Sequence, residues 1–118
     1  MRSAASLRSG VRGLKIAAVY FVVIREQGRA WNASLGMRAQ EQWPEHVEFI
    51  NGIAEEGFLI VAGPVGDGNP YRAMLVVSAD DERQAAARLE DDPWTIAGVL
   101  ETKSVERWDV LVGEFAST

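Results

Sequence analysis

Nine consecutive apolar residues, Ile16-Ala-Ala-Val-Tyr-Phe-Val-Val-Ile24, form the strongest hydrophobic run of the chain. The run is β-branched and aromatic and too short for a membrane span, so it predicts a buried strand. Residues 26–40 hold Gly28, Asn32, Ser34 and Gly36 and predict a loop, turning helical near Leu35. From Pro44 to about Glu56 the apolar positions Val47, Phe49, Ile50, Ile53 and Ala54 recur at helical spacing. Pro44 suits the first turn of that helix, and Gly57 suits its end. Phe58–Ala62 predicts a second strand, Gly63–Pro70 a turn-rich connection, and Tyr71–Val77 a third strand. Ser78-Ala-Asp-Asp81 fits a capping pattern for a helix over Asp80–Glu90, which Pro93 ends. Val105–Val112 predicts the last strand.

The order β-α-β-β-α-β gives an α+β fold class of ferredoxin-like type, an antiparallel sheet with two helices on one face. Both parities of Ile16–Ile24 are apolar, and so are both parities of Phe58–Ala62. Strands of that kind are covered on both sides. Two helices cover only one face of a sheet, so the expected cover for the other is a second copy of the chain, a homodimer packed sheet to sheet. Residues 15–113 form the expected domain, residues 114–118 a frayed tail and residues 1–14 a disordered leader, Arg- and Ser-rich and without an acid.

The chain has 118 residues, no cysteine and one histidine, His46. Thiolate catalysis, disulfides and a multi-histidine metal centre are thereby excluded within one chain. With no secretory apolar segment, the expected location is cytoplasmic. From residue 26 onward there are 7 basic and 17 acidic residues. An acidic body repels phosphate backbones, which argues against nucleic acid as a partner. No run is long enough to make a membrane a partner. No cofactor motif occurs: Gly63-Pro64…Gly66-Asp67-Gly68 lacks the spacing and the lysine of a phosphate loop and reads as a strand connection.

Two residues carry candidate chemistry. His46 shares a helical stripe with Phe49, Ile50 and Ile53, so it points toward the sheet; it is either a semi-buried histidine bonded to backbone or a functional group. Asp92 precedes Pro93, which forces it toward extended geometry and can aim its carboxylate at a pocket. Its plain reading is a solvated helix stop. Trp31, Trp94 and Trp108 are core, interface or an aromatic-binding surface. No G-x-S-x-G occurs to make a nucleophilic serine.

Trp43-Pro-Glu-His46, Glu56-Gly57-Phe-Leu-Ile-Val-Ala62-Gly63-Pro64, Asp92-Pro93-Trp94 with Ala97-Gly98-Val99, and Val105-Glu-Arg-Trp108 together resemble the YCII-related family, in that family's order, from about Tyr20 to Val112. The resemblance implies a dimeric α+β barrel with a His–Asp dyad in a pocket near the dimer interface, here the catalytic pair His46 and Asp92. Trp43 stands where some members place an arginine for anion contact, and Arg38 is the candidate to replace it. Trp43, Gly63, Pro64 and Trp94 complete the expected substrate surface. The implied function is cofactor-free acid–base chemistry on a small, cyclic or aromatic organic molecule; the alternative is a non-catalytic binding or regulatory module of the same fold. The topology adds a tension. Side-by-side helices that run in the same direction hold His46 and Asp92 apart, so residues 91–98 must fold back or the pair must form across the dimer.

Overall fold

A computed structural model describes residues 18–113 and 115. Its elements are β1 (Tyr20–Gln27), a 3-10 turn (Met37–Ala39), α1 (Trp43–Glu55), β2 (Leu59–Val65), β3 (Arg72–Ser78), α2 (Glu82–Leu89), a short α3 (Pro93–Ile96) and β4 (Leu100–Trp108). The sheet order is β2-β3-β1-β4 and every pairing is antiparallel. This is the ferredoxin-like arrangement, with the first and third strands central.

Alternation sets the core. Phe21, Val23 and Arg25 of β1 point to the helix side. Val23 lies opposite Leu75 on one flank and Val105 on the other, and Phe21 lies opposite Val77. Ile53 of α1, Ala85 and Leu89 of α2, and Trp94 of α3 close over them and are essentially solvent-free. Each large aliphatic side chain sealed this way contributes about 1.5–3 kcal/mol. Residues of the other parity face away from the helices. On that open face Val61 is 52% and Met74 37% exposed, and a shallow depression lies between Val61, Gly63, Pro64, Val65, Met74 and Val76.

Element boundaries differ from the sequence expectation in several places. β1, expected to end at Ile24, runs on to Gln27, with Arg25 and Glu26 paired to both neighbouring strands. β2 continues through Gly63-Pro64-Val65, where a turn is expected, because β2 is the outermost strand and a proline there deprives no second neighbour of a donor. Ser78 belongs to β3, and the cap of α2 is Asp81. Its carboxylate accepts from the Gln84 N–H at 2.8 Å, while the Gln84 side chain accepts from the Asp80 N–H at 2.8 Å. Pro93 lies beyond α2, which stops at Leu89, and opens α3 with Asp92 as its cap. β4 starts at Leu100 and ends at Trp108, because Leu-Glu-Thr-Lys-Ser pairs through its backbone despite lacking apolar alternation. The expected leader, residues 1–14, lies outside the described residues, as do 114 and 116–118 of the expected tail. Phe115 packs edge-on against Tyr20 and Trp108, with ring centroids 5.1 and 5.8 Å away. No helix among the described residues is long and apolar enough to cross a membrane.

One close approach ties β1 to the segment after α3. The Gly28 N–H donates to the Val99 carbonyl at 2.8 Å and the Ala30 N–H to the Gly98 carbonyl at 3.0 Å. A Cβ on residue 28 would overlap the Gly98 carbonyl oxygen, whereas one on residue 36 would meet open space. Gly28→Ala is therefore expected to cost about 1–3 kcal/mol, the range of an overpacked site, and to lower the melting temperature by several degrees. Gly36→Ala, in extended backbone, should leave it unchanged. Equal melting temperatures for the two variants, measured by calorimetry, would refute the packing argument.

Candidate active site

The first turn of α1 presents His46. Pro44 fixes the start of the helix, and the His46 N–H donates to the Gln42 carbonyl at 3.0 Å. Gln42 itself sits in the left-handed region at φ 64°. The imidazole lies flat on the Trp94 indole, with centroids 3.9 Å apart and planes 8° from parallel. Trp94 is fixed in turn: its Nε1 donates to the Glu41 carbonyl at 2.7 Å, and Trp31 and Trp43 flank it at 6.0 and 5.6 Å. Trp31 stacks on Tyr71 at 4.6 Å, and the Tyr71 hydroxyl donates to the Met37 Sδ at 3.0 Å.

Asp92 meets His46 within the chain. Arg88 of α2 pairs with Glu56 at the end of α1, so the two helices do finish together. The short link after Leu89 then carries Asp92 back, and α3 packs against α1. Asp92 is extended, at φ −62° and ψ 127°, the geometry that a following proline favours. Its carboxylate is fully buried and is surrounded by donors. Oδ1 accepts from the Trp94 N–H at 2.9 Å. Oδ2 accepts from the Arg25 Nη1 at 2.9 Å. The His46 Nδ1 lies 3.0 and 2.9 Å from the two oxygens. Burial alone would push the Asp92 carboxyl up; the hydrogen bond of His46 and the charge it carries when protonated, then the Trp94 N–H and the Arg25 guanidinium, outweigh it and hold the carboxyl below its ordinary value.

Arg25 is the residue that sequence reasoning misses. It is 1% exposed, and its Nη2 donates to the Thr95 hydroxyl, which donates onward to the Leu89 carbonyl at 2.9 Å. Its Nε has no hydrogen-bond partner among the described residues. The register of β1 against β4 slips by one between Ile24 and Arg25, so Lys103 bulges out of the pairing just there. Burial also pushes the Tyr71 phenol up, and the charge of Arg25 offsets part of that rise.

The expected substrate residues separate into two places. Trp94 and Trp43 adjoin His46, Trp43 at 5.8 Å. Gly63 and Pro64 instead border the depression on the open sheet face, whose lining includes neither His46 nor Asp92. Arg38 is exposed in the 3-10 turn, since α1 begins at Trp43 and does not extend back to it; it makes none of the ion pairs found among the described residues. Trp108 stands at the end of β4 with Tyr20 and Phe115. Among the described residues no cluster of three or more metal-ligating side chains occurs.

A bound carboxylate accepts and does not donate, so the proton shared with His46 sits on Nδ1, and in the neutral form of the ring Nε2 carries the lone pair. The side chain is 12% exposed, and among the described residues Nε2 has no hydrogen-bond partner and is not sealed from solvent. The arrangement is therefore able to take up and return one proton at a single atom beside an aromatic floor.

The family model of the YCII-related domain matches residues 19–109. No curated protein matches the chain.

The depressed Asp92 value has a stability consequence. A carboxyl that ionises more easily folded than unfolded contributes stability that is complete above its unfolded value, about 3.9. That contribution is lost as the pH falls through the lowered folded value. Asp92→Asn also leaves Arg25 buried without its counter-charge, a loss of about 3–5 kcal/mol at neutral pH. In urea unfolding between neutral and strongly acid pH, the gap between wild type and Asp92→Asn should be widest near neutrality. It should narrow as the pH drops below the ordinary carboxylate range. A gap that stays constant throughout would count against an ionised Asp92.

Proposed function

The chain belongs to the YCII-related domain family, and we propose that it is an acid–base enzyme that moves a proton on a small, cyclic or aromatic organic molecule, with His46 as the catalytic residue. The observation that carries this reading is the buried Asp92 carboxylate on Nδ1 of a histidine whose Nε2 is open. Asp92 fixes the ring's tautomer and orientation, and it stabilises the imidazolium that forms when Nε2 removes a proton from a carbon acid. Return of that proton to another carbon completes an isomerisation; loss of a leaving group from the carbanion completes an elimination. Trp94 and Trp43 offer flat apolar surface on which a ring can lie beside Nε2. No group of the site is asked to form a covalent bond to the substrate.

A homodimer belongs to the same proposal. The apolar open face, with Val61 half exposed, supports a second copy as its cover. Such packing would bring the Gly63-Pro64 depression of each subunit to the interface. A cytoplasmic setting fits a chain without cysteine.

Two measurements test these readings. Unsaturated lactones, cyclic diketones and phenolic acids are incubated with the protein in D2O, and deuterium entry at carbon is followed by NMR. At least one compound should exchange. His46→Gln should slow that exchange by about 100-fold or more, the usual weight of a positioned base, while the fold is retained. Binding without exchange by any compound would give preference to the non-catalytic binding module. In sedimentation the wild type should have about twice the 12.9 kDa chain mass, and Val61→Glu with Met74→Glu should halve it. A wild-type monomer with a cooperative melting transition would remove the dimer from the proposal.

A further inference from the structure

We propose that Arg25 is a positioning residue of this site: it holds Asp92 as a carboxylate and cancels its charge, and so keeps the ring proton of His46 on Nδ1 and off Nε2. The inference rests on the acid–base reading above, but it concerns where the proton sits at rest, which is measurable without a substrate.

Arg25 reaches the chemistry only through Asp92. It is 1% exposed, one arm of its guanidinium is on Asp92 and the other is on Thr95, itself tied to the Leu89 carbonyl. Its position does not require a cation. Phe21 and Val23, the preceding inward residues of β1, show that this stripe is apolar, and a buried ion pair is often no more stable than apolar side chains of similar size. The unpartnered Nε adds a further cost. A strongly disfavoured group retained at a polar site points to a role other than stability.

The neighbours of Asp92 define that role. The Trp94 N–H and the Arg25 Nη1–H can only donate, so a protonated carboxyl here would have one acceptor for its O–H, the His46 Nδ1. Without the guanidinium, a buried carboxylate lacks its counter-charge, and two routes restore it. The carboxyl takes a proton and donates to Nδ1, which leaves the other tautomer with its hydrogen on Nε2. Alternatively, the imidazole becomes an imidazolium. Both routes put a proton on Nε2 and remove the lone pair that would accept one from a substrate. With Arg25 present, the carboxylate is already neutralised and the ring keeps Nε2 free.

The chain has a single histidine, so its ring nitrogens are assigned without ambiguity in 15N NMR of the full-length protein near neutral pH. In wild type, Nδ1 should resonate as a protonated and Nε2 as an unprotonated ring nitrogen. In Arg25→Gln and Arg25→Met, two neutral side chains of comparable reach read in parallel because one of them could fail to fold, Nε2 should move into the protonated range. Arg25→Lys, which retains the charge, should keep the wild-type pattern. A wild-type pattern in a folded neutral variant would overturn the proposal and leave Arg25 a structural residue. So would Nε2 protonated in the wild type. The two readings fail separately: absence of deuterium exchange with the wild-type nitrogen pattern intact defeats the enzyme reading, whereas exchange that survives in Arg25→Gln with unchanged nitrogens defeats this one.

Discussion

The burial of one carboxylate constrains the whole of this site. Asp92 has no contact with solvent, and an isolated charge so placed would cost several kcal/mol. The fold answers with three donors from three elements: Arg25 from the middle of the sheet, His46 from the first turn of α1 and the Trp94 N–H from α3. Each fixes a separate distance, so strand, helix and post-helical turn are held relative to one another by a single side chain. The aromatic packing around Trp94 and the Gly28–Val99 approach then brace these elements from outside the polar centre.

The fold was legible in the sequence because hydrophobic period decides it. The two-sided runs at β1 and β2 are short and rich in β-branched and aromatic residues, which marks them as strands, and the stripe of α1 recurs at helical spacing. What was not legible depends on neighbours. Pro64 in a strand is tolerable only once β2 is known to lie at the edge of the sheet. The start of β4 lies in Leu-Glu-Thr-Lys-Ser, a segment that pairs through backbone groups and has little apolar alternation to announce it. Ser78 and Asp81 both make plausible caps from composition; the strand β3 claims Ser78, and Asp81 is left to cap α2.

The site was legible in part for similar reasons. His46 could be placed on an inward stripe and Asp92 given extended geometry because helical period and the Asp-Pro bond act locally. Their meeting depends on a turn after Leu89 that no local rule specifies. Arg25 was hidden by its place, just past the end of the apolar run Ile16–Ile24 and outside every motif. Its parity with Phe21 and Val23 was the available signal. A charge in phase with the buried positions of a strand must find a partner, and that partner had to come from another element. Arg38, for its part, stands in the 3-10 turn before α1, which starts at Trp43.

Four consecutive residues show why stability and chemistry are inseparable here. Asp92 supplies the carboxylate. Pro93 holds it out of helical geometry and opens α3 without needing a donor of its own. Trp94 turns its backbone N–H onto that carboxylate and its ring beneath the imidazole. Thr95 anchors the second arm of Arg25. Asp92, Trp94 and Thr95 all touch the His46–Arg25 cluster, so loosening any one of them changes the others' geometry. A core tryptophan exchanged for another large apolar residue would still fill space, but it would lose both the flat contact under His46 and the Nε1 bond to Glu41. The imidazole would then be held by one hydrogen bond and free to swing about it. Orientation of the ring thus depends on the packing of the core as much as on the charge of Asp92, and the hydrophobic interior of this fold is itself part of the proposed catalytic apparatus.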